Sequence, residues 1–287
     1  MMNQPLMTPL SQRLFYTGPV LGVVLDWAGT TVDYGCRGPA AVFVKTFKEF
    51  GVSVQTAEAR RFMGLSKKDH IRAMCNLPSV KAQWLAMFNR IPTDTDIDTI
   101  YRRTEPMMVK AVSAHADMIP GILEAVDGLR ARKIRIGSST GYTRPMMDVL
   151  APAAEKNGYS PDVVVCSSDV PAGRPYPFMC YANAIQLQIY PLEAMVKIGD
   201  TISDIEEGLN AGMWTIGITR TGNEMGLSHT DMNLMPDFER TNRLAAIADR
   251  FQAAGAHYIV ESAGNILPVI DAISERLARG EHPRHFR

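Results

Sequence analysis

The stretch LGVVLDWAGTT, residues 21–31, joins a short continuous apolar run to a polar loop that opens on Asp26. An apolar run without alternation is typical of a strand buried on both faces, as in a parallel sheet. Similar runs recur at 134–138, 163–166, 195–199, 215–219 and 257–261. Helical periodicity separates them at 121–132, 204–211 and 265–277. Strands that alternate with helices predict a doubly wound α/β domain built on a parallel sheet.

The stretch from residue 35 to residue 116 interrupts this alternation, because it contains no strong strand pattern. Helical segments are indicated at 39–50, 67–75, 80–88 and 94–112, with Gly51 and Pro92 between them. We therefore predict an all-helical cap of residues 35–116, inserted into a Rossmann-like core of residues 21–34 and 117–287. Residues 1–20 are interpreted as an N-terminal tail that leads into the first strand.

The composition is that of an ordinary globular protein, with 46% hydrophobic and 21% charged residues among 287. Lys plus Arg and Asp plus Glu both number 30. This balance argues against a broad surface for nucleic acid or membrane lipid, but it leaves room for a local anion site. The four cysteines fit neither a disulfide framework nor a zinc site. With no signal-peptide pattern and no run of about 20 apolar residues, we expect a cytoplasmic protein with reduced thiols.

Polar residues follow the apolar runs at the ends where ligands are expected. In an open parallel sheet, ligands bind at the carboxyl ends of the strands. The chemically capable residues that follow successive runs are Asp26, Thr140, Arg174, Asp200 and Asp204. Carboxylates, hydroxyls and one cation are therefore predicted to meet on one rim of the sheet.

This ordered set resembles the haloacid dehalogenase superfamily of phosphoryl-transfer enzymes, and the resemblance covers residues 21–220 at least. It implies that the inserted helices form a mobile cap. It also implies that Asp26 is the nucleophile, which accepts a phosphoryl group to give an aspartyl-phosphate that water then hydrolyses. Thr140 and the amides beside it would hold phosphate oxygens, and Arg174 would offset the charge of the phosphoryl group and of Asp26.

The same resemblance implies a Mg²⁺ cofactor, because two anions must approach each other during the transfer. The protein ligands would be Asp26, the backbone carbonyl of Ala28 and Asp200. Asp204 lies one helical turn beyond Asp200 and would orient metal-bound water or Asp200 itself.

Ala28 departs from the pattern of the superfamily's phosphatases. Those enzymes usually carry a second aspartate at this position, and that residue protonates the leaving oxygen. An alanine has no proton to give, so Ala28 disfavours ordinary hydrolysis of a phosphate ester. A different means of stabilising the leaving group is needed.

The cap segment MGLSKKDH, residues 63–70, suggests such a means. Together with residues 26–30 and 173–175, it resembles the phosphonoacetaldehyde hydrolase family, which cleaves a carbon–phosphorus bond. The resemblance implies that Lys67 condenses with the aldehyde of a small phosphonate substrate to form an imine. The leaving group is then an enamine, and the products are acetaldehyde and phosphate. Members of this family associate as homodimers, so the resemblance also implies a homodimer.

The residues around Lys67 indicate how its amine becomes neutral, as attack on a carbonyl requires. Ser66 and Asp69 form a capping-box-like signal, which places Lys67 in the first turn of a helix. The positive end of the helix dipole disfavours a cation there, and desolvation acts in the same direction. His70 is on the same helix face and either shuttles protons during imine formation or pairs with a nearby carboxylate.

Several alternatives stay open at this point. Cys36 and Tyr142 match positions of the family site, but packing explains them better than a chemical role does. Met63 also matches, and filling of the core competes with a site role for it. Asp33 fits a hinge between the first strand and the cap better than a ligand role. The rival functions are a Mg²⁺-dependent phosphatase or phosphomutase acting on a small phosphate ester, and a non-catalytic module that binds a phosphometabolite.

Overall fold

Six parallel strands form one sheet in the computed structural model, which describes residues 16–283. The strands are β1 (Gly22–Leu25), β2 (Arg135–Thr140), β3 (Val163–Cys166), β4 (Met195–Gly199), β5 (Trp214–Ile218) and β6 (Tyr258–Val260). Their order is β3-β2-β1-β4-β5-β6, and all neighbours pair in parallel. The doubly wound α/β fold is therefore confirmed, and each predicted strand lies within two residues of an observed one. The tail predicted at residues 1–20 falls mostly outside the described residues.

Six helices lie between β1 and β2, and the first five fall where the sequence predicts an inserted helical cap. These five are α1 (Arg37–Glu49), α2 (Thr56–Arg60), α3 (Lys67–Cys75), α4 (Pro78–Phe88) and α5 (Asp94–Val112). The four predicted segments match α1, α3, α4 and α5 within two residues at each end. The five-residue α2 is too short to show a helical period. The boundaries of the cap, residues 35 and 116, stay a prediction.

The core helices cover both faces of the sheet. They are α6 (Ile122–Ala131), α7 (Arg144–Lys156), α8 (Phe178–Gln186), α9 (Ile202–Ala211), α10 (His229–Leu234), α11 (Asp237–Ala253) and α12 (Leu267–Ala278). The sequence predicts α6, α9 and α12 but misses the others. Pro152 lies inside α7 and obscures its pattern, while α11 buries only Ile247 and Phe251 and so has little apolar stripe. Among the described residues, no helix has both the length and the apolar character needed to cross a membrane.

The two segments that connect core and cap are tied together at Asp33. Its carboxylate accepts hydrogen bonds from the backbone N–H groups of Arg37 and Gly38, at the start of α1. Its Oδ1 also lies 3.2 Å from Nδ1 of His115, on the returning segment. The hydrogen bond to Asp33 raises the pKa of His115. Asp33 itself has φ 55°, and its role as a hinge stays a prediction.

The strand order also decides where a ligand can bind. After β1 the chain adds β2 and β3 on one side, and then returns to add β4, β5 and β6 on the other side. In a doubly wound sheet, ligands bind in the crevice beyond the carboxyl ends of the two strands at which this direction changes, here β1 and β4. Asp26 directly follows β1 and Asp200 directly follows β4. Both side chains are buried at that crevice.

Candidate active site

Three buried carboxylates converge at the switch point of the sheet. Asp26, Asp200 and Asp204 each present an oxygen, and these oxygens all lie within 4.8 Å of one another. The loop after Asp26 closes onto Asp200 at Gly29, which has φ 86°. A Cβ at that position would lie 2.1 Å from Oδ2 of Asp200, so the approach requires a glycine.

Arg174 connects Asp26 to the helix beneath it. Its Nη2 donates to Oδ1 of Asp26 and to the backbone oxygen of Ser139, both at 2.7 Å. The same nitrogen lies 3.0 Å from Oδ1 of Asp204, and Nε donates to Oε2 of Glu207 at 2.9 Å. The guanidinium is buried, so these carboxylates rather than water hold it in place.

Lys197 is a second buried cation, which the sequence analysis missed. It lies in β4, and its Nζ donates to Oδ1 of Asp204 at 2.5 Å and lies 3.6 Å from Oε2 of Glu207. The missed signal is a lysine inside a strand that is otherwise apolar and buried on both faces. Such a charge must find a carboxylate partner in the interior.

The buried charges leave an excess of negative charge that fits a divalent cation. In the ion-paired cluster beneath the cavity, which excludes the cap residue Lys67, four carboxylates face two cations, and the net charge is −2 when all are ionised. The six residues are Asp26, Asp200, Asp204, Glu207, Arg174 and Lys197. Burial and the neighbouring carboxylates raise the pKa of Asp200 well above its usual range. Burial and Asp204 likewise raise the pKa of Asp26, with Arg174 opposing them. A metal ion between these two carboxylates would remove that repulsion.

Asp204 differs from the other two carboxylates because its oxygens already accept several hydrogen bonds. Lys197 and Arg174 contact Oδ1, and the hydroxyl of Thr201 donates to Oδ2 at 2.6 Å. Although burial opposes it, the two cations lower the pKa of Asp204. Asp26 and Asp200 accept fewer hydrogen bonds and therefore keep more oxygen lone pairs free for a cation. The ligand roles predicted for them and for Ala28, and the orienting role of Asp204, stay predictions.

A small cavity of about 20 Å³ lies between core and cap, above these carboxylates. Its walls come from the loops after β1, β2 and β4 and from the first part of the cap. It is lined by Asp26, Ala28, Cys36, Pro39, Met63, Gly64, Lys67, Thr140, Gly141, Tyr142, Asp200 and Thr201. Most of the predicted site residues are in this set. Arg174 and Asp204 lie directly beneath it, and the roles predicted for all of them stay predictions.

Lys67 is the first residue of α3 and points into the cavity. Ser66 caps this helix as predicted, since its hydroxyl accepts the N–H of Asp69 at 3.2 Å. The Nζ of Lys67 lies 4.6 Å from the ring centre of Tyr142, and the side chain is buried. Burial lowers the pKa of Lys67 to about 8, even though Cys36 and Asp26 oppose the shift. The neighbouring Lys68 is exposed and paired with Asp98.

His70 lies one layer behind the cavity. Its Nε2 donates to the backbone oxygen of Ala59 at 2.8 Å, and its ring stacks on Phe43 with centres 3.9 Å apart. The partner is thus a backbone carbonyl, not the carboxylate that one interpretation expected. Burial, followed by the charge of Lys67, lowers the pKa of His70 well below its usual range. Within residues 16–283 its buried Nδ1 has no hydrogen-bond partner, so it is a neutral acceptor close to Lys67.

The other predicted ligand-binding residues line the cavity around Lys67. The hydroxyl of Thr140 accepts the N–H of Tyr142 at 3.1 Å, which fixes the loop after β2. Burial raises the pKa of the Tyr142 hydroxyl and of the Cys36 thiol well above their usual ranges, so both are protonated at neutral pH. The side chain of Met63 is buried on the cap side.

Comparison with known proteins identifies the family. The model of the haloacid dehalogenase-like hydrolases matches residues 36–218. A phosphonoacetaldehyde hydrolase of Syntrophobacter fumaroxidans is 55% identical over 268 residues, which cover 93% of this chain and 97% of the relative. The chain belongs to the phosphonoacetaldehyde hydrolase family. It is therefore a hydrolase of the haloacid dehalogenase type.

Two further relatives match this chain over nearly its whole length. A phosphonoacetaldehyde hydrolase of Nitratidesulfovibrio vulgaris is 52% identical and covers 96% of this chain and 99% of its own. The crystal structure of a phosphonoacetaldehyde hydrolase-like protein from Oleispira antarctica is 38% identical, with a TM-score of 0.93. It covers 96% of this chain and 99% of its own. The family likeness therefore extends over core and cap together.

Proposed function

We propose that this chain hydrolyses the carbon–phosphorus bond of phosphonoacetaldehyde to give acetaldehyde and phosphate. The observation that carries the proposal is the shared cavity in which Lys67, a cap residue, faces the buried core residue Asp26. The activity named for relatives at 55% and 52% identity supports the same reaction. Ala28, which lines the cavity, argues against a phosphatase that needs a general acid at that position.

Imine formation is the first proposed step. The neutral amine of Lys67 attacks the aldehyde carbon, and water leaves as the carbon–nitrogen double bond forms. Burial favours the neutral amine, because it lowers the pKa of Lys67 to about 8. The unpaired Nδ1 of His70 would take the proton that the attacking nitrogen loses and return it to the hydroxyl that departs as water.

Phosphoryl transfer is the second proposed step. A carboxylate oxygen of Asp26 bonds to phosphorus as the carbon–phosphorus bond breaks, and that electron pair moves into the imine to give an enamine. No oxygen leaves in this step, so no general acid is needed at Ala28. Arg174 already donates to Asp26 and would hold the transferred group in line with it.

Two hydrolyses complete the proposed cycle. The enamine takes a proton at carbon, and water then releases acetaldehyde from Lys67. A second water cleaves the aspartyl-phosphate and restores Asp26. One water is released and two are consumed, so the net reaction takes up a single water.

We propose Mg²⁺ as the cation of this site, held by Asp26, Asp200 and the carbonyl of Ala28. The donors are all hard oxygens, as Mg²⁺ prefers, and the buried cluster carries the matching excess charge. When bound, the ion supplies the positive charge that lets an anionic phosphonate approach Asp26. That the protein is a cytoplasmic homodimer stays a prediction from its sequence and its family.

Borohydride trapping tests the proposed function directly. With Mg²⁺ and phosphonoacetaldehyde present, we expect reduction to inactivate the enzyme and to leave an N-ethyl group on Lys67, mapped by peptide mass spectrometry. The control without substrate should stay active. No adduct, combined with hydrolysis of phosphate esters, would support the rival phosphatase or mutase. Tight binding of the phosphonate without release of phosphate would support the binding module.

The pH dependence of imine formation follows from the pKa of Lys67. Only the neutral amine reacts, so the rate should rise about tenfold per pH unit below pH 8 and level off above it. In Ser66→Ala the helix loses its cap, and Lys67 is held less firmly against the positive helix end. The midpoint should then move to higher pH. An unchanged midpoint in a folded Ser66→Ala variant would count against the contribution of the helix.

A further inference from the structure

Arg60 reaches from α2 to the start of the cap and to a core loop, and it binds oxygens of both. It is the last residue of α2, and its Nη1 donates to the backbone oxygen of Gly35 at 2.8 Å and to Oδ1 of Asn223 at 3.1 Å. Its Nη2 donates to the backbone oxygen of Gly226 at 3.2 Å. Asn223 returns a hydrogen bond from Nδ2 to the backbone oxygen of Arg60 at 3.1 Å.

The core side of this contact is part of the proposed metal site. The backbone N–H of Asn223 donates to Oδ2 of Asp200 at 2.6 Å. Gly226 has φ 66°, and a Cβ there would lie 3.0 Å from the guanidinium carbon of Arg60. The loop of residues 222–226 is therefore shaped to receive Arg60 on one side and to hold Asp200 on the other.

The cap side of this contact leads to Lys67. The backbone oxygen of Arg60 also accepts the N–H of Met63, which begins the loop that ends at α3. Two weaker contacts fasten the same loop to the core: Ser203 donates to the oxygen of Met63, and Arg174 donates to the oxygen of Gly64, both at 3.4 Å. A displaced Arg60 would therefore carry the loop, and Lys67 behind it, away from Asp26.

We propose that Arg60 is a positioning residue, which holds the cap on the core so that Lys67 faces Asp26, with Asn223 as its receptor. The inference rests on the proposed function, because it explains how the two reacting residues are kept in one cavity. A guanidinium suits the task since its planar fork can donate to several carbonyl oxygens at once. A lysine has a single nitrogen and cannot reproduce these contacts.

Competitive labelling of lysines tests the inference without any substrate. Trace acetic anhydride is applied over a range of pH in saturating Mg²⁺, and the labelling of Lys67 is read by peptide mass spectrometry. In the wild type we expect the labelling of Lys67 to reach half of its maximum near pH 8, because burial lowers the pKa of this lysine to about 8. In Arg60→Met the midpoint should move toward the value of a solvated lysine, about 10.4. The matched control is Arg61→Met, since Arg61 is exposed and lies over the ring of Phe62 within the cap; its midpoint should not move.

Kinetics on phosphonoacetaldehyde provide the second readout. Arg60→Met should lower kcat by about 10- to 100-fold, the loss that a small misplacement of reacting groups causes. Asn223→Ala keeps the backbone N–H to Asp200 and removes only the side-chain contacts with Arg60, which retains its bonds to Gly35 and Gly226. It should therefore lower kcat in the same direction but by less. The double variant should be little worse than Arg60→Met alone, because that variant has already lost the side-chain contact with Asn223. Arg60→Lys should not restore the rate.

The two experiments separate failure of the inference from failure of the proposed function. An Arg60→Met variant with a wild-type labelling midpoint and kcat would overturn the positioning role, as would fully additive losses in the double variant. If Arg60→Met does not fold, a wild-type midpoint and kcat in Arg60→Lys have the same meaning, because a lysine cannot reproduce these contacts. A wild-type enzyme that does not cleave phosphonoacetaldehyde would refute the proposed function alone, and the labelling result would still decide the role of Arg60.

Discussion

Lys67→Arg is expected to abolish release of phosphate from phosphonoacetaldehyde while the protein stays folded. Arginine keeps the positive charge and the long stem of lysine, but its guanidinium does not lose a proton in proteins and cannot attack a carbonyl. Removal of a covalent nucleophile typically costs more than about 10⁴-fold in kcat. Phosphate release at saturating substrate and Mg²⁺ measures the loss. Borohydride should leave no adduct on the variant.

Lys68→Arg is the matched control for this prediction. Lys68 is the adjacent residue of the same helix, but it is exposed and its ion pair with Asp98 lies on the outer side of the cap. An arginine can make the same ion pair, so the rate should stay within a factor of about two of wild type. Near-normal turnover in Lys67→Arg would refute the imine mechanism. Equal losses in both variants would point to general damage to α3 instead.

The sequence predicts much of this site because local patterns carry the information. A buried parallel strand is recognisable from its continuous apolar run, and the residue after it must lie on the rim where ligands bind. For this reason the sequence alone places Asp26 and Asp200 on the rim. The capping signal at Ser66 places Lys67 at a helix start, and the structure has it there. The burial that lowers the pKa of Lys67 depends on how the cap packs against the core, and a local sequence pattern does not reveal that packing.

The contacts that sequence reasoning misses join residues that are distant along the chain. Arg60 meets Asn223 across 163 positions, and no local pattern marks either residue. Glu207 binds Arg174 from the same face of α9 as Asp204, but an acidic residue on a helix is normally exposed to solvent. Lys197 is the exception, since a lysine in a buried strand is itself a signal. Helix α7 is missed because Pro152 interrupts the pattern that identifies a helix.

Asp26→Ala is expected to separate the two halves of the reaction. Lys67 should still form the imine, because Asp26 raises the pKa of that lysine and its removal favours the neutral amine further. The carbon–phosphorus bond should then persist for lack of an acceptor. Phosphate release should fall by more than about 10⁴-fold, as for loss of a nucleophile. Borohydride should therefore leave an N-(2-phosphonoethyl) group on Lys67, where the wild type yields N-ethyl.

The identity of the trapped group distinguishes this mechanism from its rivals. A wild-type enzyme treated with a chelator should also accumulate the phosphonoethyl adduct, since the charge that admits the phosphonate to Asp26 is then missing. Asp26→Asn keeps the shape of the side chain but not its charge, and the same adduct is expected. An N-ethyl group at wild-type yield in Asp26→Ala would mean that the bond breaks without Asp26. Water or another residue would then have to accept the phosphoryl group, and the buried pair of Arg174 with Asp26 would serve only to hold the site together.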